Sequence, residues 1–257
     1  MICALMLGRD GSRGFPGKNT FPVLGRPLMA YPILAAKGTP QVARVYVSTD
    51  SPNIKKVAAD YGARVIDRPA ELCTPQALGE DAFAHGYRVI RDELKAEGKE
   101  LELVVLLFCN AATVTSALIE EGVAALRKDP KADSAVSVSR YNMWSPLRAR
   151  KETKDGYLQP FVPFETFGDP KTLNCDRDSQ GDVWYADMGL SVVRPRSLDN
   201  VREGLLPQKW MGQNIVPLKN WGGCDVDYEW QMPGVEFWLR KHGYTEEACP
   251  PAKVPSR

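Results

Sequence analysis

The 257-residue sequence has few histidines, widely spaced cysteines and no long apolar run, and each scarcity excludes a class of protein. The two histidines, His85 and His242, lie inside or near predicted helices, so we assign neither of them a catalytic role. The six cysteines include no Cys-x-x-Cys pair, which argues against a disulfide framework and a zinc site. No apolar stretch of about 18 residues predicts a membrane span, and the first residues lack the pattern of a signal peptide. We therefore expect a cytoplasmic protein without a membrane partner.

The chain also lacks an excess of either charge. Its 33 basic and 32 acidic residues give a net charge of +1, whereas proteins that bind nucleic-acid phosphates are usually far more basic. We therefore expect no nucleic-acid partner, and any phosphate chemistry requires a local cluster of cations. The hydrophobic fraction of 44% is that of a folded globular chain rather than a disordered one.

Strands and helices alternate over residues 1–139. The predicted strands are Ile2–Leu7, Val42–Ser48, Ala63–Ile66, Leu101–Phe108 and Ser134–Ser139, followed later by Met188–Val193 and Ile215–Leu218. The predicted helices are Pro27–Lys37, Pro52–Tyr61, Ala77–Gly98, Ser116–Lys128 and Glu229–His242. This alternation predicts an α/β fold with a mostly parallel sheet flanked by helices. Ligands of such sheets bind outside the carboxyl ends of the strands.

The segment from Arg140 to Tyr185 interrupts this alternation and is rich in proline, aspartate, lysine and aromatic residues. A structureless loop of this length is uncommon, so we expect a small antiparallel excursion whose aromatics form a partner surface. A local flap over the site is the alternative. Residues 1–257 are treated as a single domain with an insert at about 140–187, and residues 248–257 as a proline-containing tail.

Glycines recur at every third position in the loop after the first strand, at residues 8, 11, 14 and 17. This spacing matches neither Gly-x-Gly-x-x-Gly nor the P-loop pattern. The loop still fits a polyphosphate, because glycines let backbone N–H groups approach an anion and three cations stand against one carboxylate. The predicted phosphate-binding residues are Gly8, Arg9, Gly11, Ser12, Arg13 and Lys18. The alternative is a flexible loop with solvated charges, which has no need of Pro16 between glycines.

Two aspartates flank Val226 near the end of the chain. If the segment is extended, Asp225 and Asp227 point to the same face. Two hard oxygen donors on one face, completed by triphosphate oxygens, form an ordinary Mg²⁺ site. Two solvated turn aspartates are the alternative. For the last predicted helix, we expect Trp230, Phe237 and Trp238 to pack against the sheet.

The loop from Arg9 to Asn19 also resembles a known signature. Arg9-x-Gly-Ser-Arg-Gly-x-Pro-Gly-Lys-Asn19 is similar to the opening block of the acylneuraminate-type cytidylyltransferases, the CMP-sialic acid synthetase group, which usually has Lys in place of Arg13. Shorter blocks follow in the order of that family. They are Gly25-x-Pro27-Leu28, Ser48-Thr49-Asp50, Asp67-Arg68-Pro69 and Asp225-Val226-Asp227.

The resemblance implies a Rossmann-like nucleotidyltransferase fold and a Mg²⁺-dependent reaction. CTP and a sialic-like 3-deoxy-ulosonic or nonulosonic sugar acid would give a CMP-sugar and pyrophosphate for cell-surface glycan synthesis. It further implies a homodimer in which the inserted segment reaches the site of the other subunit. Arg9, Lys18 and Asp227 would be catalytic, Asn19 would contact the cytosine, and Arg68 would bind sugar or phosphate. An arginine held in the turn before a proline is an equal alternative for Arg68.

The block after the fourth long strand departs from the family. In the family this block usually reads Leu-Gln-Pro-Thr-Ser-Pro-Leu-Arg, whereas residues 107–114 of this chain lack both the glutamine and the arginine. The acceptor therefore stays open, with Asn110 and Thr113 as the candidate acceptor-binding residues, and another sugar or a phosphonate remains an alternative. A glycosyltransferase that uses Asp225 and Asp227 as its metal motif, and a non-catalytic nucleotide-binding protein, are the other two classes. Release of pyrophosphate separates the first class from both of them.

Overall fold

The computed structural model describes residues 1–246, and the predicted tail at 248–257 lies outside them. In chain order, the elements are β1 (Ile2–Leu7), β2 (Pro22–Val23), β3 (Arg26–Pro27), α1 (Ala30–Lys37), β4 (Val42–Thr49), α2 (Pro52–Asp60), β5 (Arg64–Asp67), α3 (Gly79–Ala96), β6 (Leu103–Phe108), α4 (Ser116–Lys128), β7 (Ser134–Arg140), β8 (Arg150–Glu152), β9 (Leu158–Pro160), β10 (Trp184–Val193), α5 (Pro195–Asp199), β11 (Ile215–Asn220) and α6 (Met232–Lys241). Within residues 1–246, no helix combines the length and apolar character that crossing a membrane requires.

The central sheet has seven strands in the order β11-β7-β10-β6-β1-β4-β5. The pairs β1–β4, β1–β6, β4–β5 and β7–β11 are parallel, whereas β10 runs antiparallel to both of its neighbours. The predicted fold class, a mostly parallel sheet flanked by helices, is confirmed. The loops that follow β1, β5, β6 and β11 all begin at the same edge of this sheet, so their residues can meet in one site.

Local sequence explains where the helices begin. Ser51 precedes α2, and its hydroxyl accepts a hydrogen bond from the backbone N–H of Ile54 at 3.3 Å. Thr115 does the same for α4, where its hydroxyl accepts from the N–H of Leu118 at 3.2 Å. Both are ordinary N-caps, which satisfy N–H groups that the first turn leaves without a helical partner.

Two hydrophobic clusters cover the two faces of the sheet, and a third fixes the site. The third cluster includes Phe15 from the Gly-rich loop, Tyr31 from α1, Val226 from between the paired aspartates and Trp238 from α6. Burial of these side chains ties the Gly-rich loop to the aspartate segment, because each of the two contributes a side chain to the same core. Of the three aromatics predicted to pack α6 against the sheet, Trp238 is buried. The prediction is wrong for Trp230 and Phe237, which are exposed.

The segment between β7 and β10 forms the expected antiparallel excursion. It contains a short hairpin, β8–β9, with several 3₁₀ turns around it. β10 begins four residues earlier than predicted, because its first residues also pair with β7, ahead of an irregularity between Ala186 and Ser191. Met188 lies at this irregularity with φ 60°, a left-handed conformation that breaks the alternation of a strand.

Candidate active site

A cleft of about 530 Å³ opens at the carboxyl edge of the sheet. One wall is the Gly-rich loop, and the opposite wall comes from the segment before α3 and from the end of β6. The lining residues that the sequence predicted are Gly8, Arg9, Gly11, Ser12, Arg13, Lys18, Asn19, Arg68, Asn110 and Asp227. Residues from four separate parts of the chain therefore meet in one cavity, as the order of strands requires.

The Gly-rich loop is held in place from both of its ends. The side-chain amide of Asn19 donates to the backbone carbonyl of Arg9 at 3.1 Å, which closes the loop on itself. Gly14 approaches the aspartate segment so closely that a Cβ there would lie 2.5 Å from the backbone oxygen of Asp227. A side chain at residue 14 would push the two loops apart, so glycine is required here by contact rather than by flexibility.

Lys18 and Asp227 form an ion pair within the cleft. The Lys18 Nζ lies 2.7 Å from Oδ1 of Asp227, with the lysine side chain 11% exposed and the aspartate side chain 60% exposed. The two residues are 209 positions apart, so this contact is a product of the fold alone. A cation that is mostly buried and a carboxylate that faces solvent can both exchange partners when a charged ligand enters.

Asp225 is the more buried member of the aspartate pair. Burial, followed by the negative charge of Asp227, raises the pKa of the Asp225 carboxyl above that of an ordinary aspartate. Asn110 partly offsets this effect, because its side-chain amide donates to Oδ2 of Asp225 at 3.3 Å and to the carbonyl of Val226 at 2.9 Å. Two carboxylates that repel each other beside a cleft are suited to a shared cation.

The donor set fits Mg²⁺ only if the ion arrives with further ligands. Within residues 1–246, no group of three or more His, Cys, Asp or Glu side chains is arranged to hold a metal. Asp225 and Asp227 supply hard oxygen donors, and Mg²⁺ commonly takes one or two carboxylates together with phosphate oxygens and water. The pair therefore fits a metal–triphosphate complex and not an all-protein metal cage.

Arg68 lies at the base of the cleft and is buried. Its Nε donates to the hydroxyl of Ser48 at 3.2 Å, and its Nη2 donates to the carbonyl of the same residue. Burial lowers the pKa of this guanidinium. Arg68 thus joins the ends of β4 and β5 and also lines the cleft. Its contact with sugar or phosphate stays a prediction.

The structure does not bring Thr113 to the cleft. Thr113 is fully buried, and its hydroxyl donates to the carbonyl of Cys224 at 3.0 Å and accepts from the N–H of Cys224 at 2.9 Å. We therefore withdraw its assignment to the acceptor, whereas Asn110 does line the cleft. Sequence reasoning also missed the lining residues Tyr228 and Phe108. The sequence signal for Tyr228 was its position directly after the paired aspartates, and that for Phe108 was its position at the end of β6.

Comparison with known proteins points to the same family as the sequence blocks. Residues 3–85 match the family model described as cytidylyltransferase. Over 146 residues, the chain is 32% identical to the N-acylneuraminate cytidylyltransferase of Escherichia coli O18:K1:H7, an alignment that covers 57% of this chain and 33% of that protein. The chain is similar to the acylneuraminate-type cytidylyltransferases. The N-acylneuraminate cytidylyltransferase of Oncorhynchus mykiss is 26% identical to this chain, in an alignment that covers 95% of this chain and 51% of that protein.

The alignments also limit what can be transferred. They cover 33% and 51% of the two curated proteins, so this chain spans about half of their length or less. Among solved structures, the CMP:2-keto-3-deoxy-manno-octonic acid synthetase complexed with CTP superposes with a TM-score of 0.64. The match covers 93% of this chain and 98% of that one at 16% identity, which shows a common fold.

Proposed function

We propose that the protein is a Mg²⁺-dependent cytidylyltransferase that joins CTP to a sialic-like sugar acid and releases pyrophosphate. The observation that carries the proposal is the meeting of the phosphate-binding loop with the aspartate pair, seen as the 2.7 Å contact between Lys18 and Asp227. A nucleotidyl transfer needs cations and a metal site at the same phosphates, and the contact between the basic loop and the aspartate segment supports this assignment.

In the proposed reaction, an acceptor hydroxyl attacks the α-phosphorus of CTP, and the bond to the β-phosphate oxygen breaks. Arg9 and Lys18 donate to the triphosphate oxygens, with Arg13 and the loop N–H groups beside them. Asp225 and Asp227 would hold Mg²⁺, which when bound neutralises charge on the phosphates and on the departing pyrophosphate. Asn19 also lines the cleft, and we assign it to the cytosine.

The acceptor is proposed to be a 3-deoxy-ulosonic or nonulosonic acid used in cell-surface glycan synthesis, because the relatives named above act on N-acylneuraminate. One observation favours a second candidate, a different sugar or a phosphonate. Phe108 lines the cleft at the position where the family motif has glutamine, and the position of the motif's arginine is the fully buried Val114. These replacements remove the two polar side chains that the family motif carries at these positions.

We also propose a homodimer in the cytoplasm. The segment between β7 and β10 exposes large apolar side chains, which are Trp144, Tyr157, Leu158 and Phe161. Several exposed apolar side chains on one excursion from the sheet support burial against a second subunit. The five cysteines within the described residues are all free, which is the usual state of cysteines in a reducing compartment.

The test is release of pyrophosphate with Mg²⁺, with CTP, UTP, ATP and GTP each combined with a panel of acidic sugars. Release with CTP and one nonulosonic acid supports the proposal and names the acceptor. Calorimetric CTP binding without release on any of these sugars would favour the second candidate. If neither binding nor release occurs with any triphosphate, the protein is not a nucleotidyltransferase.

A further inference from the structure

Asp187 is a buried carboxylate that the proposed reaction does not use. It lies in β10 and is 4% exposed. It accepts hydrogen bonds from the hydroxyl of Ser137, from that of Ser139 at 2.7 Å, from the N–H of Gly189 at 3.1 Å and from the side-chain amide of Asn220 at 3.1 Å. All four donors are neutral. Burial of an aspartate in the centre of a sheet is costly, so its place here calls for a reason beyond packing.

The partners of Asp187 also hold the aspartate segment. The hydroxyl of Ser139 accepts from the N–H of Gly223 at 2.9 Å while it donates to Asp187. The side-chain amide of Asn220 donates both to Asp187 and to the carbonyl of Thr113, at 3.1 Å in each case. Thr113 in turn holds both backbone groups of Cys224 through its hydroxyl. A continuous hydrogen-bond network therefore runs from Asp187 to the residue before Asp225.

Gly223 shows how closely the segment is fitted to this carboxylate. A Cβ at Gly223 would lie 2.3 Å from Oδ2 of Asp187 and 2.5 Å from the side-chain nitrogen of Asn220. Tyr141 closes the other side, because its hydroxyl donates to the carbonyl of Gly223 at 2.7 Å. The backbone at residue 223 is thus fixed on both sides, two residues before the first predicted metal ligand.

We propose that Asp187 is a positioning residue that sets the place of the Asp225–Asp227 pair through Ser139, Asn220 and Gly223. The inference rests on the proposed function, because it takes Asp225 and Asp227 as the groups that hold the metal. Networks behind metal ligands typically contribute to affinity by fixing the orientation of those ligands. Asp187 would act in this way without touching metal or substrate.

The test compares metal binding with metal-free nucleotide binding in the full chain. Mn²⁺ is titrated in the presence of CTP, without acceptor, and free Mn²⁺ is followed by electron paramagnetic resonance. We expect Asp187→Asn to weaken Mn²⁺ binding by about 10-fold or more, the usual effect of losing a partner behind a metal ligand. Calorimetric binding of CTP without metal should change much less than Mn²⁺ binding, because Asp187, Ser139, Asn220 and Gly223 do not line the cleft.

Two further variants separate positioning from loss of folding. Ser139→Ala removes only the hydroxyl between Asp187 and Gly223, so it should weaken Mn²⁺ binding in the same direction even if Asp187→Asn does not fold. Asp133→Asn is the matched control. Asp133 accepts from the N–H groups of Gln213 and Asn214, at 3.0 and 2.9 Å, but at the opposite edge of the sheet. It should leave Mn²⁺ binding unchanged.

The outcomes distinguish this inference from the proposed function. Folded Asp187→Asn and Ser139→Ala proteins that bind Mn²⁺ as tightly as wild type would overturn the inference, whatever the activity. An equal loss in Asp133→Asn would overturn it too, since the effect would then be general. A wild-type protein that binds Mn²⁺ with CTP but releases no pyrophosphate with any acceptor would refute the proposed function alone. A wild type that does not bind Mn²⁺ with CTP would refute both.

Discussion

Replacement of Lys18 by methionine tests the electrostatics of the cleft most directly. Lys18→Met removes the ammonium and keeps most of the side-chain stem, which matters because this side chain is only 11% exposed. A hydrogen bond to a charged group contributes about 1.5–3 kcal/mol. The ion pair that Lys18 gives up on binding phosphate is worth at most about 1 kcal/mol, because Asp227 faces solvent. We therefore expect CTP binding without metal to weaken by about 0.5–3 kcal/mol, or roughly 2- to 150-fold.

The assay is isothermal titration calorimetry with CTP in the absence of divalent metal, at low salt. Lys56→Met is the matched control, because Lys56 also forms a 2.7 Å ion pair, with Asp60 on α2, but does not line the cleft. It should leave the affinity for CTP at the wild-type value. An unchanged affinity in Lys18→Met, with a wild-type circular dichroism spectrum, would show that the triphosphate does not bind beside this lysine.

Other predictions address the metal site and the stability of the fold. Asp227→Ala should abolish pyrophosphate release and keep the circular dichroism spectrum; near-normal release with Mg²⁺ would remove Asp227 from the mechanism. The raised pKa of Asp225 means that its charge disfavours the folded state at neutral pH, whereas below the pKa of an unfolded aspartate this effect vanishes. Asp225→Asn should therefore raise Tm at pH 7.5 and leave it unchanged at pH 3, and an equal shift at both would contradict this reasoning. Thr115→Ala removes the N-cap of α4 and should lower the free energy of unfolding by about 1 kcal/mol in urea titration; no change would mean that the cap is not used. Iodoacetamide at pH 7.5 should label the exposed Cys175 and spare Cys109, where burial raises the pKa of the thiol to about 12; mass spectrometry of peptides gives the order, and early labelling of Cys109 would contradict its burial.

Elements whose signals are local could be predicted well from the sequence. β1 and α4 have the predicted bounds, because an unbroken apolar run defines the first and a capping threonine defines the start of the second. The Gly-rich loop was found for the same reason, since its glycines and cations are consecutive. Its position at the carboxyl edge followed from the alternation of strands and helices, which the sheet confirms.

Features that depend on distant contacts could not be predicted in this way. Nothing near Thr113 indicates that its hydroxyl holds Cys224, 111 residues away. Hydrophobicity alone placed Phe237 in the core, but the helix can turn only one face inward, and Trp238 occupies it. Asp187 carried a weak signal, a lone carboxylate in a strand-like run, whose meaning depends on donors from β7 and β11.

The antiparallel direction of β10 has a consequence for how the sequence of such a protein can vary during evolution. The inserted segment leaves the sheet at the end of β7 and returns at the start of β10, so both of its attachment points lie side by side at one edge. Its length and composition can vary without altering the spacing of these points or the register of the sheet. The part of the sheet formed by β6, β1, β4 and β5, which carries the Gly-rich loop, therefore keeps its strand pairing when the insert changes. New subunit contacts and new acceptors can arise by exchange of one peripheral module, while Tyr141, at its root, keeps the aspartate segment in place.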